Sequence, residues 1–180
     1  MSDTASRAAP TRAAKVALAG FILVWFGFQI LFPLRHLLYP GNPSWTEEGH
    51  RFSWMMKLRD KRGRAVFTVR DPATGDEWQF TPGDMLARHQ ISKVAPRPDM
   101  VLQFAHYLAW IFEEEDGFEN VEVRARVCVS LNGRPAALMI DPERDLTEVT
   151  RDLRHADWIL PLEQPFERPP NRKRRRDLDC

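Results

Sequence analysis

Residues that would identify an enzyme by a local motif are scarce in this sequence. The two cysteines do not form a Cys-x-x-Cys pair, and the five histidines show no metal-ligand spacing. There is no Gly-x-Ser-x-Gly nucleophile motif and no glycine-rich phosphate loop. The sequence motifs therefore indicate no catalytic residue and no metal ligand.

The two cysteines are also poorly placed, by sequence, for a disulfide. Cys128 falls inside an apolar, strand-like run, and Cys180 is the last residue of a charged tail. A bridge would tie the interior of a strand to a frayed end, so we expect none. On this reading, cysteine usage does not fix the redox compartment.

An excess of charge of either sign is also missing. The 26 basic residues nearly balance the 25 acidic ones, which argues against a nucleic-acid partner bound through bulk charge. A basic run at 172–176 in isolation indicates binding of nucleic acid or anionic lipid, and an unstructured solubilising tail is the alternative. A hydrophobic content of 43% excludes wholesale disorder, and 180 residues suit one or at most two domains.

One long hydrophobic run is present near the N-terminus. Val16–Leu34 contains 19 residues without a charge, and at about 1.5 Å per residue a helix of that length nearly spans a hydrocarbon core. Gln29 is its one strongly polar side chain, and no polar face is visible. We predict a transmembrane helix over 16–38 that is kinked or ended by Pro33. A buried helix of a soluble protein is the alternative.

The flanks of this run predict an uncleaved, single-pass anchor. No small-x-small cleavage site follows it, and the run is long for a signal peptide. Arg7, Arg12 and Lys15 precede it against Asp3 alone, whereas Arg35 and then Glu47 and Glu48 follow. The positive-inside rule places residues 1–15 in the cytoplasm and an extracytoplasmic domain at 39–162.

The rest of the chain reads as one α+β domain. Apolar and polar residues alternate over 52–58, 64–70 and 77–80, which predicts an antiparallel meander with turns at 60–63 and 71–76. Two helices are expected next, one from Thr81 to Ser92 and one from Pro98 to about Phe112.

Two further strands complete the predicted sheet. Residues 121–131 alternate again, Asn132-Gly133 is a strong hairpin signal, and 134–140 would be the return strand. The sequence thus predicts an antiparallel sheet of about five strands with two inserted helices. A proline- and arginine-rich tail at 163–180 is expected to be disordered.

The densest cluster of chemically useful side chains lies just beyond the apolar run. Within residues 40–59, aromatic rings stand beside acids, bases and an imidazole: Trp45, Glu47, His50, Arg51 and Trp54. Such a mixture is typical of a pocket rim for an amphipathic ligand. The same residues also suit a loop that packs its aromatic rings against lipid headgroups and the domain. Both interpretations stay open at this point.

An ordered set of short stretches resembles a known family. Residues 32–56, FPLRHLLYPGNPSWTEEGHRFSWMM, are similar to the junction between the last membrane helix and the extramembrane domain of the vitamin K-dependent gamma-carboxylase (HTTM) family. Further matching pieces follow in the same order: Asp71 with Thr74-Gly75, Pro98-Asp99, Phe104-Ala105, 129–134 and Asp141-Pro142. The resemblance covers roughly residues 28–162.

The resemblance implies the C-terminal part of a multi-span enzyme that uses a reduced quinone, oxygen and carbon dioxide to carboxylate protein glutamates. The family's catalytic lysine lies in a membrane-helical half that has no counterpart in this sequence. We therefore expect either an accessory domain that acts with a separate multi-span partner, or a non-catalytic module that binds a peptide or lipid at the outer membrane face. The expected partners are the lipid bilayer, a multi-span subunit of the same family and a peptide substrate. A quinone such as vitamin K is expected only if the family chemistry occurs in a complex.

Overall fold

A computed structural model describes residues 11–55, 59–163 and 178–180, and its first element is the apolar helix. Helix α1 (Arg12–Leu34) begins at Thr11, whose hydroxyl accepts a hydrogen bond from the Ala14 amide at 3.2 Å. Its large apolar side chains are exposed along its length. A 3₁₀ helix, Arg35–Leu38, continues it beyond Pro33. By length and composition this segment can cross a membrane.

A four-stranded antiparallel sheet forms the centre of the domain. The order is β2 (Glu77–Phe80), β1 (Lys61–Arg70), β3 (Glu122–Leu131) and β4 (Ala137–Leu138). Strands β1 and β3 pair along their whole length, from Lys61 opposite Leu131 to Arg70 opposite Glu122. The predicted α+β class is confirmed, and the strand number is close to the one expected.

The first predicted strand, at 52–58, is not formed by the residues that the structure describes there. Phe52 has a left-handed backbone (φ 61°), and the Ser53 amide and hydroxyl both donate to the His50 carbonyl, so a turn replaces extended chain. Residues 56–58 lie outside the described residues. The predicted turn at 60–63 is instead the start of β1, because β3 is long enough to pair with it.

Three helices follow β2 in place of the two that were predicted. The segment expected as one helix is split into α3 (Pro82–Met85) and α4 (Arg88–Val94) by extended backbone at Leu86 and Ala87. The Asp84 carboxylate accepts from the Thr81 amide at 2.6 Å, and the Gln90 side chain does the same for the Ala87 amide at 3.0 Å. Each short helix therefore has its own N-terminal cap.

The long helix of the domain was predicted correctly. It is α5 (Pro98–Trp110). The remaining α-helix among the described residues is the short α2 (Pro43–Thr46), earlier in the chain. A π-helical turn, Ile111–Glu115, extends α5 before Gly117. The apolar face of α5 packs on the inner face of the sheet, where Phe104 meets Phe67 edge-on with ring centroids 4.8 Å apart.

The return strand after the hairpin is shorter than predicted. Asn132 and Gly133 adopt left-handed backbone as expected, but β4 has two residues, because Pro135 lacks an amide hydrogen for the ladder. Ile140 then bridges to Ile159. The chain from 139 to 160 closes the core with buried apolar side chains, namely Met139, Ile140, Leu146, Val149, Trp158 and Ile159.

The expectation of two unpaired cysteines is wrong, because Cys128 and Cys180 form a disulfide. Alternation along β3 puts Val127 and Val129 on the inner face and Cys128 on the outer face. The C-terminal residues lie on that outer face, where Arg64 pairs with Asp179 at 3.2 Å. Most of the tail predicted to be disordered, 164–177, lies outside the described residues.

Candidate functional site

Trp45, the first of the predicted site residues, lies in the core. Asn42 caps helix α2 by accepting from the Ser44 amide at 2.9 Å, and this short helix turns the Trp45 ring inward. The ring is fully buried, and its Nε1 donates to the Leu160 carbonyl at 2.7 Å. Trp45 thus joins α2 to the segment that closes the core.

Glu47 ends helix α2 in left-handed backbone and organises two cations. Its Oε1 lies 2.8 Å from Arg59 and 3.4 Å from the Lys61 ammonium. Lys61 also donates to the Trp45 carbonyl at 2.6 Å. Burial lowers the pKa of Lys61 to about 8, and the nearby Glu47 carboxylate offsets part of that effect. Glu47 therefore has a positioning role between α2 and β1.

The loop at 47–51 packs closely against residues 35 and 36, directly after α1. A Cβ built on Gly49, whose φ is +62°, would lie 2.6 Å from the His36 backbone, so any larger residue would push the two segments apart. Arg35 donates to the Arg51 carbonyl. His50 is partly buried beside this contact, and burial together with the Arg59 charge lowers its pKa.

This loop forms one wall of a cleft of about 410 Å³, which we call the polar cleft. The end of α1, the first turn of α5 and residues 144–159 form its other walls. Its lining is dominated by charged side chains of both signs: Arg35, Arg51, Arg144, Arg151, Arg154, His155, Glu47, Glu48, Asp99, Glu148, Asp152 and Asp157.

One carboxylate in the polar cleft serves two guanidinium groups. Asp99, in the first turn of α5, accepts from Arg51 at 2.7 Å and from Arg151 at 2.8 Å through the same oxygen, Oδ2. Both arginine side chains are more than half exposed, at 66% and 58%. A guanidinium group has five N–H donors, so both retain donors for an anionic ligand.

Glu48 is an acidic residue of the polar cleft whose side chain is buried. Its side chain is 8% exposed, and its Oε1 accepts from His155 Nδ1 at 2.9 Å and from the Ala156 amide at 2.8 Å. Its Oε2 is buried and has no hydrogen-bond partner among the described residues. A buried carboxyl oxygen without a hydrogen-bond partner is costly, and its burial keeps Glu48 Oε2 out of reach of a ligand in the cleft.

The structure brings some of the predicted residues together and separates others. Glu47 and Arg51 line the polar cleft, Trp45 lies in the core, and Trp54 is 70% exposed. From the sequence, Asp99 was predicted only to lie at the start of a helix. Arg151 and His155 were given no role in a site. The dense alternation of charges at 150–157 was a signal that would have drawn attention to that wall.

Metal chemistry finds no obvious place in this arrangement. Across 11–55, 59–163 and 178–180, no group of three or more His, Cys, Asp or Glu side chains is placed to hold a metal ion. The lining of the polar cleft mixes charged side chains with fewer apolar and aromatic ones, such as Tyr39, Leu102 and Trp158. Its chemistry is that of a surface that recognises charged groups.

Comparison with known proteins identifies the family of this domain. The family model described as vitamin K-dependent gamma-carboxylase, lumenal domain, matches residues 14–165, which include all but the first two residues of α1 and the whole sheet domain. The comparison with curated proteins found no significant match. The comparison with solved structures found none either. Because the family model covers most of the sequence, the chain belongs to the vitamin K-dependent gamma-carboxylase lumenal-domain family.

Proposed function

We propose that this chain is a membrane-anchored accessory domain that holds a charged peptide for a separate multi-span partner of the same family. The observation that carries the proposal is the position of the polar cleft at the C-terminal end of α1. Arg35, the first residue after this apolar helix, lines the cleft. The described residues contain one helix able to span a membrane. The proposal therefore assigns the membrane-embedded chemistry to the partner.

The proposed topology has the N-terminus in the cytoplasm and the sheet domain outside. Arg7, Arg12 and Lys15 on the N-terminal side of α1 support that orientation through the positive-inside rule. The disulfide between Cys128 and Cys180 supports it independently, because structural disulfides persist in oxidising compartments and are rare in the cytosol.

A peptide suits the polar cleft better than a quinone. Arg51 and Arg151 are both more than half exposed and present N–H donors to carboxylates. A quinone ring is typically held in a mostly apolar slot, whereas charged side chains outnumber apolar ones in this lining. The family resemblance, with its glutamate-containing protein substrates, points to the same ligand class.

The second candidate function is a binding module that acts alone, without catalysis, at the outer membrane face. Phe52 and Trp54 favour it, because both are largely exposed and the Phe52 ring contacts Phe32 in the last turn of α1, where a lipid surface would lie. The two candidates differ in whether a multi-span protein accompanies the chain.

Two measurements test the proposal. Affinity purification of the tagged full chain in mild detergent should recover a multi-span membrane protein of the same family; recovery of the chain by itself would favour the second candidate. A glutamate-rich peptide should bind the purified chain more tightly than the same peptide with glutamine in place of glutamate. Equal binding of the two peptides would contradict a cleft that recognises carboxylates.

A matched pair of variants locates the peptide. Arg151→Gln should weaken binding about tenfold, since a hydrogen bond to a charged group contributes about 1.5 kcal/mol. Arg88→Gln, an exposed arginine on α4 outside the polar cleft, should leave binding unchanged. If both variants behave alike, the peptide does not occupy the polar cleft.

A further inference from the structure

Five large apolar side chains are exposed around the end of α1. Leu37 and Leu38 in the 3₁₀ helix are 71% and 84% exposed, Phe52 and Trp54 in the following loop are 77% and 70% exposed, and Leu153 is 87% exposed. We call these five residues the apolar rim. Isolated exposed apolar side chains are ordinary on protein surfaces, but a group of this size indicates an interaction surface.

Direct contacts hold the three segments of the apolar rim together. The Phe52 ring lies 5.9 Å, centroid to centroid, from Phe32 in the last turn of α1. The Tyr39 hydroxyl donates to the Leu153 carbonyl at 2.7 Å, which ties the end of the 3₁₀ helix to the far wall of the polar cleft. The apolar rim is therefore continuous with α1 and borders the polar cleft.

The backbone at Phe52 keeps its ring outward. Its φ of +61° is rare for a bulky residue, and the adjacent turn is fixed by the hydrogen bonds from Ser53 to the His50 carbonyl. Unfavourable backbone that presents an aromatic ring to the outside tends to be retained where that ring has a use. The ring is 77% exposed, and it meets the Phe32 ring of α1, which is itself exposed.

We propose that the apolar rim inserts into the interfacial layer of the lipid bilayer around α1, so that the polar cleft opens at the level of the headgroups. Continuity with α1 identifies lipid as the occupant, because apolar side chains of α1 such as Leu23 and Val24 are exposed in the same way. The proposal rests on the membrane placement of α1, and it does not depend on peptide binding.

The charges next to the apolar rim fit the same occupant. Arg35, Arg51, Arg151 and Arg154 line the polar cleft together with Leu153 of the apolar rim. Arginine near an apolar surface extends its head to phosphate groups, and tryptophan and tyrosine favour the membrane interface. With the apolar rim in lipid, a peptide reaches the polar cleft along the membrane surface.

Spin labelling of the full chain in lipid nanodiscs tests the placement. The described residues contain no free cysteine, so a thiol-reactive nitroxide reports on one introduced cysteine at a time. The informative variants are Phe52→Cys and Leu153→Cys in the apolar rim and Leu23→Cys in α1. The control is Ala73→Cys, an exposed position in the turn after β1, about 30 Å along that ten-residue strand from Lys61.

The measured quantity is the collision rate of each label with oxygen, which concentrates in lipid, relative to a water-soluble nickel chelate. We expect ratios at Phe52, Leu153 and Leu23 several-fold above that at Ala73, in nanodiscs of phosphatidylcholine with phosphatidylglycerol. A lipid-like ratio at Leu23 with a water-like ratio at both rim positions would overturn the proposal and leave the anchor intact.

Two other outcomes also refute the insertion. Rim labels shielded from both reagents would show that protein, such as a second copy of the chain, covers the surface. A water-like ratio at Leu23 itself would remove the membrane placement of α1, and with it both the proposed anchor and the insertion. Peptide binding measured in detergent is independent of these results, so the failure of one proposal is distinguishable from the failure of the other.

Discussion

Replacing Cys180 with serine should destabilise the sheet domain by up to about 4 kcal/mol. The disulfide closes a loop with a sequence separation of 52 residues, from the middle of β3 to the C-terminus. Closing a loop of that length removes about 4 kcal/mol of chain entropy from the unfolded state at 25 °C. Cys180 is exposed and terminal, so the variant leaves no cavity in the core and the loss reports on the cross-link.

Urea unfolding of the full chain in detergent, followed by tryptophan fluorescence, measures this loss. Cys180→Ser and dithiothreitol-treated wild type should unfold at similarly reduced urea concentrations, and dithiothreitol should not affect the variant further. The Cys128→Ser variant, by contrast, also alters a buried position, so its loss is a less direct measure.

Two results would refute the reasoning. Identical midpoints for wild type and Cys180→Ser would show that the bridge contributes nothing to stability. Titration of two free thiols in protein isolated from native membranes would show that no bridge forms in the cell. The second result would also remove the independent support for an extracytoplasmic sheet domain.

The remaining predictions concern the residues between α2 and β1 and the loop beside them. Trp45→Ala should cost about 3–5 kcal/mol in unfolding free energy because its ring is fully buried, whereas Trp54→Ala should change it by less than about 0.5 kcal/mol; equal losses in urea unfolding would place Trp54 in the core. The pKa of Lys61 is lowered by burial from 10.5 to about 8, so between those values the unfolded chain binds more protons than the folded one, and stability should rise with pH. Lys61→Met should lose that rise in urea midpoints measured from pH 8 upward, and an unchanged slope would assign it to another group.

Elements whose formation depends on local chemistry were the ones predicted well. The apolar run, the proline start of α5, the Asn132-Gly133 hairpin and the alternation of β3 are each set by residues within a few positions. The strand expected at 52–58 was wrong for an instructive reason. Alternating apolar residues predict a half-buried strand only if one face meets a core, and Phe52 and Trp54 face outward instead.

The candidate site was anticipated less completely than the fold. Glu47 and Arg51 were found because they cluster with aromatic residues in the sequence, but the contacts that build the cleft join distant parts of the chain. Arg51 meets Asp99 across 48 residues, and Glu48 meets His155 across 107. No pattern within a short window reports pairs of that separation.

By itself, the sequence determined the apolar helix, the α+β class and the family, because hydropathy, strand alternation and ordered short motifs are properties of neighbouring residues. The tertiary structure alone decided that Trp45 is core, that Cys128 meets Cys180, and that arginines from three segments share one cleft at the end of α1. Those outcomes depend on which distant segments pack together, and packing is set by the whole chain.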